Sequence, residues 1–295
     1  MKIDVVFSGG GVKSFAFLGA LQSMQSRSLE IERVAGTSAG AIVAGLLAAK
    51  YSFEELEEAV NSLKLQALTD PPLMSKIIPF SKWFYLYFKM GIYKGDRFEE
   101  WLYNRLAAKN VYTFRDIKPG YLRIVVSDLS LGKLVVIPDD VERIYGIDPD
   151  HFSIARAIRM SAGYPYFFMP MKITGKTATK SIIVDGGLLS NYPLWIFDKP
   201  GERNLRPVLG VKLSDDIANT DPKTITNVVD MSAALFTTMK QAHDERYITI
   251  SHKENTIFIP IKHVETTNFH ISEKTKKWLV ELGEKKTREF LENWP

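Results

Sequence analysis

The sequence predicts an α/β protein, a three-layer α/β/α domain built on a mainly parallel central sheet. Short apolar runs of strand length, residues 3–7 first among them, lead into glycine and then into helix-length segments. Strand, glycine loop, helix, strand and helix within the first fifty residues form the β-α-β-α opening of such a sheet. Further apolar strands recur at 181–184, 207–213 and 256–261. No internal repeat, low-complexity tract or linker divides the 295 residues, so a single domain over 1–295 is expected.

Taken in order, Ile3-Asp4-Val5-Val6-Phe7 is the first strand, and it runs into Ser8-Gly9-Gly10-Gly11. A helix is predicted over 12–26, with Phe15, Leu18 and Leu21 on its buried side. The second strand breaks at Gly36-Thr37-Ser38-Ala39-Gly40 into a helix whose residues 41–49 are apolar nearly all round, hence buried. Ser52-Phe53-Glu54-Glu55 is a capping box that starts a short amphipathic helix. Pro71-Pro72 ends regular structure. Residues 73–91 then carry Trp83, Phe84, Tyr85, Tyr87 and Phe88, with three lysines as their only charges. Within the wider insertion 66–96, that density suits core packing, a lid over an apolar site, or an interfacial surface. An amphipathic helix opens at Gly95-Asp96-Arg97 and runs through Ala108, and strands at 121–127 and 133–137 make a hairpin. Ser153 caps a helix over 154–161 that breaks at Gly163-Tyr164-Pro165. The strand at 181–184 ends in Asp185-Gly186-Gly187, and helices over 224–243 and 272–292 complete the chain.

Composition narrows the function classes. The net charge of +4 comes without a long Lys/Arg block, which argues against nucleic acid as a partner. The absence of cysteine excludes disulfides and thiolate metal sites and fits a reducing compartment. The strand at 3–7 leaves no room for a signal peptide, and no run reaches the roughly 18 apolar residues of a membrane span. A cytoplasmic protein is expected, with transient contact at a membrane surface and no cofactor or metal.

Two glycine clusters carry the chemistry. A nucleophilic serine needs a sharp strand-to-helix turn that points its Oγ outward, and the close backbone there explains Gly36 and Gly40 around Ser38. The positive end of the following helix dipole favours a developing anion beside it. The loop Gly9-Gly10-Gly11 stands where phosphate loops stand. It lacks both phosphate fingerprints, because Val12 precedes Lys13-Ser14 and Ser14 replaces a glycine. Its bare N–H groups suit an oxyanion hole equally well, and neighbouring parallel strands would bring it beside Ser38. A phosphate- or nucleotide-binding protein and a serine hydrolase both remain open at this point. The histidines at 151, 243, 252, 263 and 270 lie outside the small-residue loops where a hydrolase base belongs. Asp185, ending an apolar strand before two glycines, is the better base, since ligand sites in open α/β sheets gather at strand C-termini.

Gly9-Gly10-Gly11-Val12-Lys13, Gly36-Thr37-Ser38-Ala39-Gly40 and Asp185-Gly186-Gly187, in this order, resemble the patatin-like phospholipase family. The segment from Ile158 through Ser161-Ala162-Gly163 to Phe168 and the trio Asn191-Tyr192-Pro193 extend the resemblance. Ser14 departs from it, where many members have glycine. The resemblance implies a patatin-like fold and a Ser–Asp dyad, with Ser38 as nucleophile and Asp185 as base. It implies an oxyanion hole from the N–H groups of Gly10, Gly11 and Ala39, with Gly9, Gly36, Gly40, Gly186 and Gly187 shaping the turns. Lys13 either meets the phosphate of a lipid headgroup or stands solvated on the first helical turn. The expected function is hydrolysis of fatty-acyl esters of phospholipids or lysophospholipids through an acyl-enzyme. A small-ester esterase or thioesterase with the same dyad is the alternative.

Overall fold

Side chains alternate along β1 (Lys2–Phe7): Ile3, Val5 and Phe7 join the main core, while Val6 faces the other way with Ala35. Burial on both faces is the environment of a central strand in a covered sheet. The computed structural model describes residues 1–62, 70–71, 81–176, 180–198, 206–214, 224–226, 228–247, 253–262, 264 and 271–294. The further strands are β2 (Glu30–Thr37), β3 (Gly91–Tyr93), β4 (Leu122–Asp128), β5 (Lys133–Ile137), β6 (Tyr166–Phe168), β7 (Met171–Thr174), β8 (Lys180–Asp185), β9 (Val208–Ser214) and β10 (Thr256–Pro260). The main sheet runs β10-β9-β1-β2-β4-β8-β7 with β5 on the remaining edge of β4, and β3 pairs with β6 apart from it.

The sheet is mostly parallel and flanked by helices. β10, β9, β1, β2 and β4 run parallel, whereas β5 and β8 run against β4, and β7, antiparallel to β8, runs with β4 again. Asp185 ends its strand as expected, and that strand, β8, runs against β4. Residues Ile124 and Val125 of β4 pair with both β2 and β5, and Val126 pairs with both β5 and β8. β2 and β8 therefore lie along the same edge of β4 and meet head to head. Thr37 stands opposite Val125 and Asp185 opposite Val126.

The helices are α1 (Ala16–Ser26), α2 (Ala39–Ala48), α3 (Phe53–Asn61), α4 (Ser81–Lys89), α5 (Asp96–Ala107), α6 (Val141–Tyr145), α7 (Ile154–Ser161), α8 (Val228–Tyr247) and α9 (Glu273–Leu291). The apolar run expected to be buried is α2, whose Ala41, Ala44 and Leu46 have no exposure. The capping box at Ser52 and Glu55 is present in both directions. The first turn expected of helix 12–26 is a 3-10 turn over Gly11–Phe15. Gly11 takes φ +53°, and Lys13 N–H bonds Gly10 O at 3.1 Å, so the chain enters with tighter i→i+3 bonding. The helix expected over 224–243 begins at Val228. Thr226 donates its N–H and hydroxyl to Asp230 at 3.2 and 2.7 Å, which makes 224–226 an approach to the helix.

Buried Arg159 of α7 donates to the carbonyls of Lys94 and Gly95 at 2.7 and 3.1 Å, tying the start of α5 to α7. Of the aromatic insertion, residues 66–69 and 72–80 lie outside the described residues, as do the side chains of Trp83 and Phe84. Among the described residues no helix is long and apolar enough to cross a membrane.

Candidate active site

The chain turns from β2 into α2 at Ser38, which adopts φ 54° and ψ −122°. A non-glycine residue there is strained by about 1–3 kcal/mol and persists only where its surroundings fix it. The surroundings explain both flanking glycines. A Cβ on Gly36 would collide with the backbone of Gly40, and one on Gly40 with the carbonyls of Phe7 and Ser8. Ser38 N–H donates to Ser161 Oγ at 2.9 Å, and Ser161 in turn donates to Val125 O at 2.7 Å.

With its backbone held, the Ser38 hydroxyl donates to Asp185 Oδ2 at 2.7 Å. The other carboxylate oxygen, Oδ1, accepts Gly187 N–H at 2.7 Å, and Asp185 N–H donates to Gly163 O at 3.0 Å. Asp185 is 2% exposed, and burial pushes its carboxyl up to about 6. The Ser38 hydroxyl, Gly187 N–H and the charge of Lys240 oppose that shift. A partly exposed serine hydroxyl bonded to a desolvated carboxylate is the pairing a nucleophile and its base require.

The glycine loop lies against the same turn. A Cβ added to Gly9 would stand 3.2 Å from Ser38 Cβ. Gly9 N–H is engaged by Asn191 O at 2.9 Å, whereas Gly10 and Gly11 N–H have no acceptor among the described residues. Ala39 heads α2 directly after the serine. Gly186 packs so closely on Val125 O that a side chain there is excluded. Of the two readings of Lys13, the solvated one does not hold: at 5% exposure it is buried in the turn after the loop.

The exposed ring of His151 pairs with Asp148 at 2.6 Å. His252, His263 and His270 lie outside the described residues, as does the side chain of His243. Among the described residues no group of three His, Asp or Glu could hold a metal ion. Four contributors had no assigned role in the sequence. Ser161 and Gly163 lay within a quoted segment, but their partners come from other strands. Phe236 and Lys240 sit on α8, a helix with no motif. Phe236 packs on Tyr164 with ring centroids 4.7 Å apart.

The sequence model of the family described as patatin-like phospholipase matches residues 5–198, more than half of the chain. The chain belongs to the patatin-like phospholipase family. An uncharacterized protein of Bacillus subtilis (strain 168), YqhO, is 42% identical over 294 residues, covering 100% of this patatin-like chain and 99% of its own. The crystal structure of VipD from Legionella pneumophila is similar with a TM-score of 0.59 at 20% identity, over 99% of this chain and 67% of that one, a likeness of fold. A lysophospholipase of Candida glabrata, NTE1, is 41% identical over 49 residues, which are 17% of this chain and 3% of that one. Membership of the patatin-like phospholipases supports lipid acyl hydrolase activity for this chain.

Proposed function

We propose that this protein is a serine acyl-ester hydrolase that cleaves fatty-acyl esters of phospholipids or lysophospholipids with a Ser38–Asp185 dyad. The observation that carries the proposal is the 2.7 Å bond from the Ser38 hydroxyl, on a strained strand-to-helix turn, to buried Asp185. Asp185 takes the proton as Ser38 Oγ attacks the ester carbonyl carbon. The N–H groups of Gly10, Gly11 and Ala39 stabilise the oxyanion, aided by the N-terminus of α2. Collapse expels the alcohol or lysolipid, which takes the proton back from Asp185. Water, deprotonated by Asp185, then attacks the acyl carbon, and Ser38 Oγ leaves with the proton returned from Asp185, freeing the fatty acid. Contact of the aromatic segment 73–90 with lipid belongs to the same proposal.

The test is hydrolysis of p-nitrophenyl esters of graded chain length, and of phospholipid, by wild type, Ser38→Ala and Asp185→Asn. Activity should rise with acyl length and fall at least about 10³-fold in either folded variant. Loss in Ser38→Ala alone would remove Asp185 from the role of base. Activity confined to short esters would favour a small-ester esterase over a lipid hydrolase.

A further inference from the structure

Helix α8 presents two different faces. On its inner face Phe236 is 8% exposed and packs on Tyr164. The Phe236 ring also lies 3.6 Å from where a Cβ on Gly187 would stand, next to Asp185. On the outer face Met231, Leu235 and Met239 recur at i, i+4 and i+8 and are 52%, 57% and 42% exposed. Ile225, on the approach to the helix, is 53% exposed. A helix face turned to water is ordinarily polar, and one turned to the core is covered; this stripe is neither.

The stripe does not stand alone. Tyr164, which meets Phe236, is two residues before exposed Tyr166, and Tyr166 pairs with Gly91 between β6 and β3. Gly91 follows Met90, Phe88 and Tyr87 at the end of α4, all exposed. Eight of the fourteen exposed large apolar side chains among the described residues thus belong to α8, its approach, β6 and the end of α4. Charge has one sign around the end of α4. Residues 71–95 contain four lysines and no Asp or Glu, whereas on α8 Lys240 lies between Asp230 and Asp244-Glu245. Apolar side chains beside exposed Lys89, at the end of α4, and exposed Lys94 are complementary to an anionic bilayer: the carbon chains enter the acyl boundary while these lysines meet headgroup phosphates. A protein partner would not require one sign of charge, and a nucleic acid would not require the apolar stripe.

We propose that the Met231–Leu235–Met239 face of α8, with the end of α4, is the surface that seats on an anionic lipid bilayer, placing Phe236 and Tyr164 between the membrane and Asp185. The proposal rests on the lipid-hydrolase function above and adds the surface that delivers the lipid.

The experiment compares wild type with the triple variant Met231→Gln, Leu235→Gln, Met239→Gln. Binding is read by co-sedimentation with phosphatidylglycerol/phosphatidylcholine vesicles and with phosphatidylcholine vesicles alone, in a Ser38→Ala background so that vesicles stay intact. Turnover of soluble p-nitrophenyl butyrate is read with Ser38 present. The unsubstituted face should bind anionic vesicles more tightly than neutral ones. The triple variant should lose about tenfold or more of that binding while keeping soluble-ester turnover. Unchanged vesicle binding overturns the proposal. So does a wild-type dimer that the triple variant converts to monomer, which would make a second copy the occupant. If the triple variant does not fold, Leu235→Trp replaces it. Quenching of its fluorescence by brominated lipid beyond that of wild type supports the proposal, and quenching equal to wild type overturns it. Vesicle binding through this face without lipid hydrolysis would sink the substrate assignment and leave the surface standing. Hydrolysis of monomeric short-chain phospholipid with no vesicle binding would sink the surface alone.

Discussion

Asp185 must be ionised to accept a proton, yet the chain surrounds it with groups that exclude water. Burial is the main cause of its rise to about 6, against the hydrogen bonds from Ser38 and Gly187 and the charge of Lys240. On soluble ester, kcat/KM should therefore climb with pH through about 6 and level off above it. Stability follows the opposite course. The folded pKa lies above the unfolded value of 3.8, so the folded state binds the proton more tightly. That contribution is complete well below the unfolded value of 3.8 and is lost as pH rises through about 6, a change of about 3 kcal/mol in all. Asp185→Asn lacks this titration. Urea unfolding at pH 4 and pH 7.5 should show the variant gaining about 2 kcal/mol on wild type between the two, most of the full change. A gap that does not change with pH would mean that Asp185 is solvated. At this scale much of the candidate site was legible, because Gly36 and Gly40 bracket Ser38 for a steric reason that spacing alone displays. The burial of Lys13 was not legible, since exposure depends on what packs above a turn.

One short helix turn holds both halves of the candidate dyad. Ser161 accepts Ser38 N–H, and two residues on Gly163 O accepts Asp185 N–H. The last turn of α7 thereby fixes the separation of hydroxyl and carboxylate. Ser161 is fully buried and also bonded to Val125, so its hydroxyl cannot swing away. Ser161→Ala should lower kcat about 10²-fold with KM nearly unchanged, because substrate still binds while Ser38 loses its backbone anchor. A fall in melting temperature with kcat intact would instead mark Ser161 as packing. The cap at Ser153 and the apolar period made α7 readable in advance, and a motif flagged its end. Its role was not readable, because a hydrogen bond across 123 residues leaves no local trace.

The two ends of the chain close on one another. Gly19 of α1 and Gly283 of α9 bring the helices so near that a Cβ on either would strike the other's backbone. Gly283→Ala should cost about 1–3 kcal/mol or more through overpacking, measured by urea unfolding. Circular dichroism and tryptophan fluorescence should report one coincident transition in wild type, as a single domain requires; two separate transitions would divide the chain. Local chemistry was determined by the sequence itself: apolar periodicity wrote most of the strands and helices, and glycine spacing marked the turns where backbone comes too close for a side chain. Tertiary structure alone decided that β8 runs against β4 and meets β2 head to head, so that Asp185 reaches Ser38 from the opposite direction. It also decided which face of α8 stays exposed. Strand direction and exposure depend on partners distant in sequence, and side-chain periodicity, which is the same for parallel and antiparallel strands, carries neither.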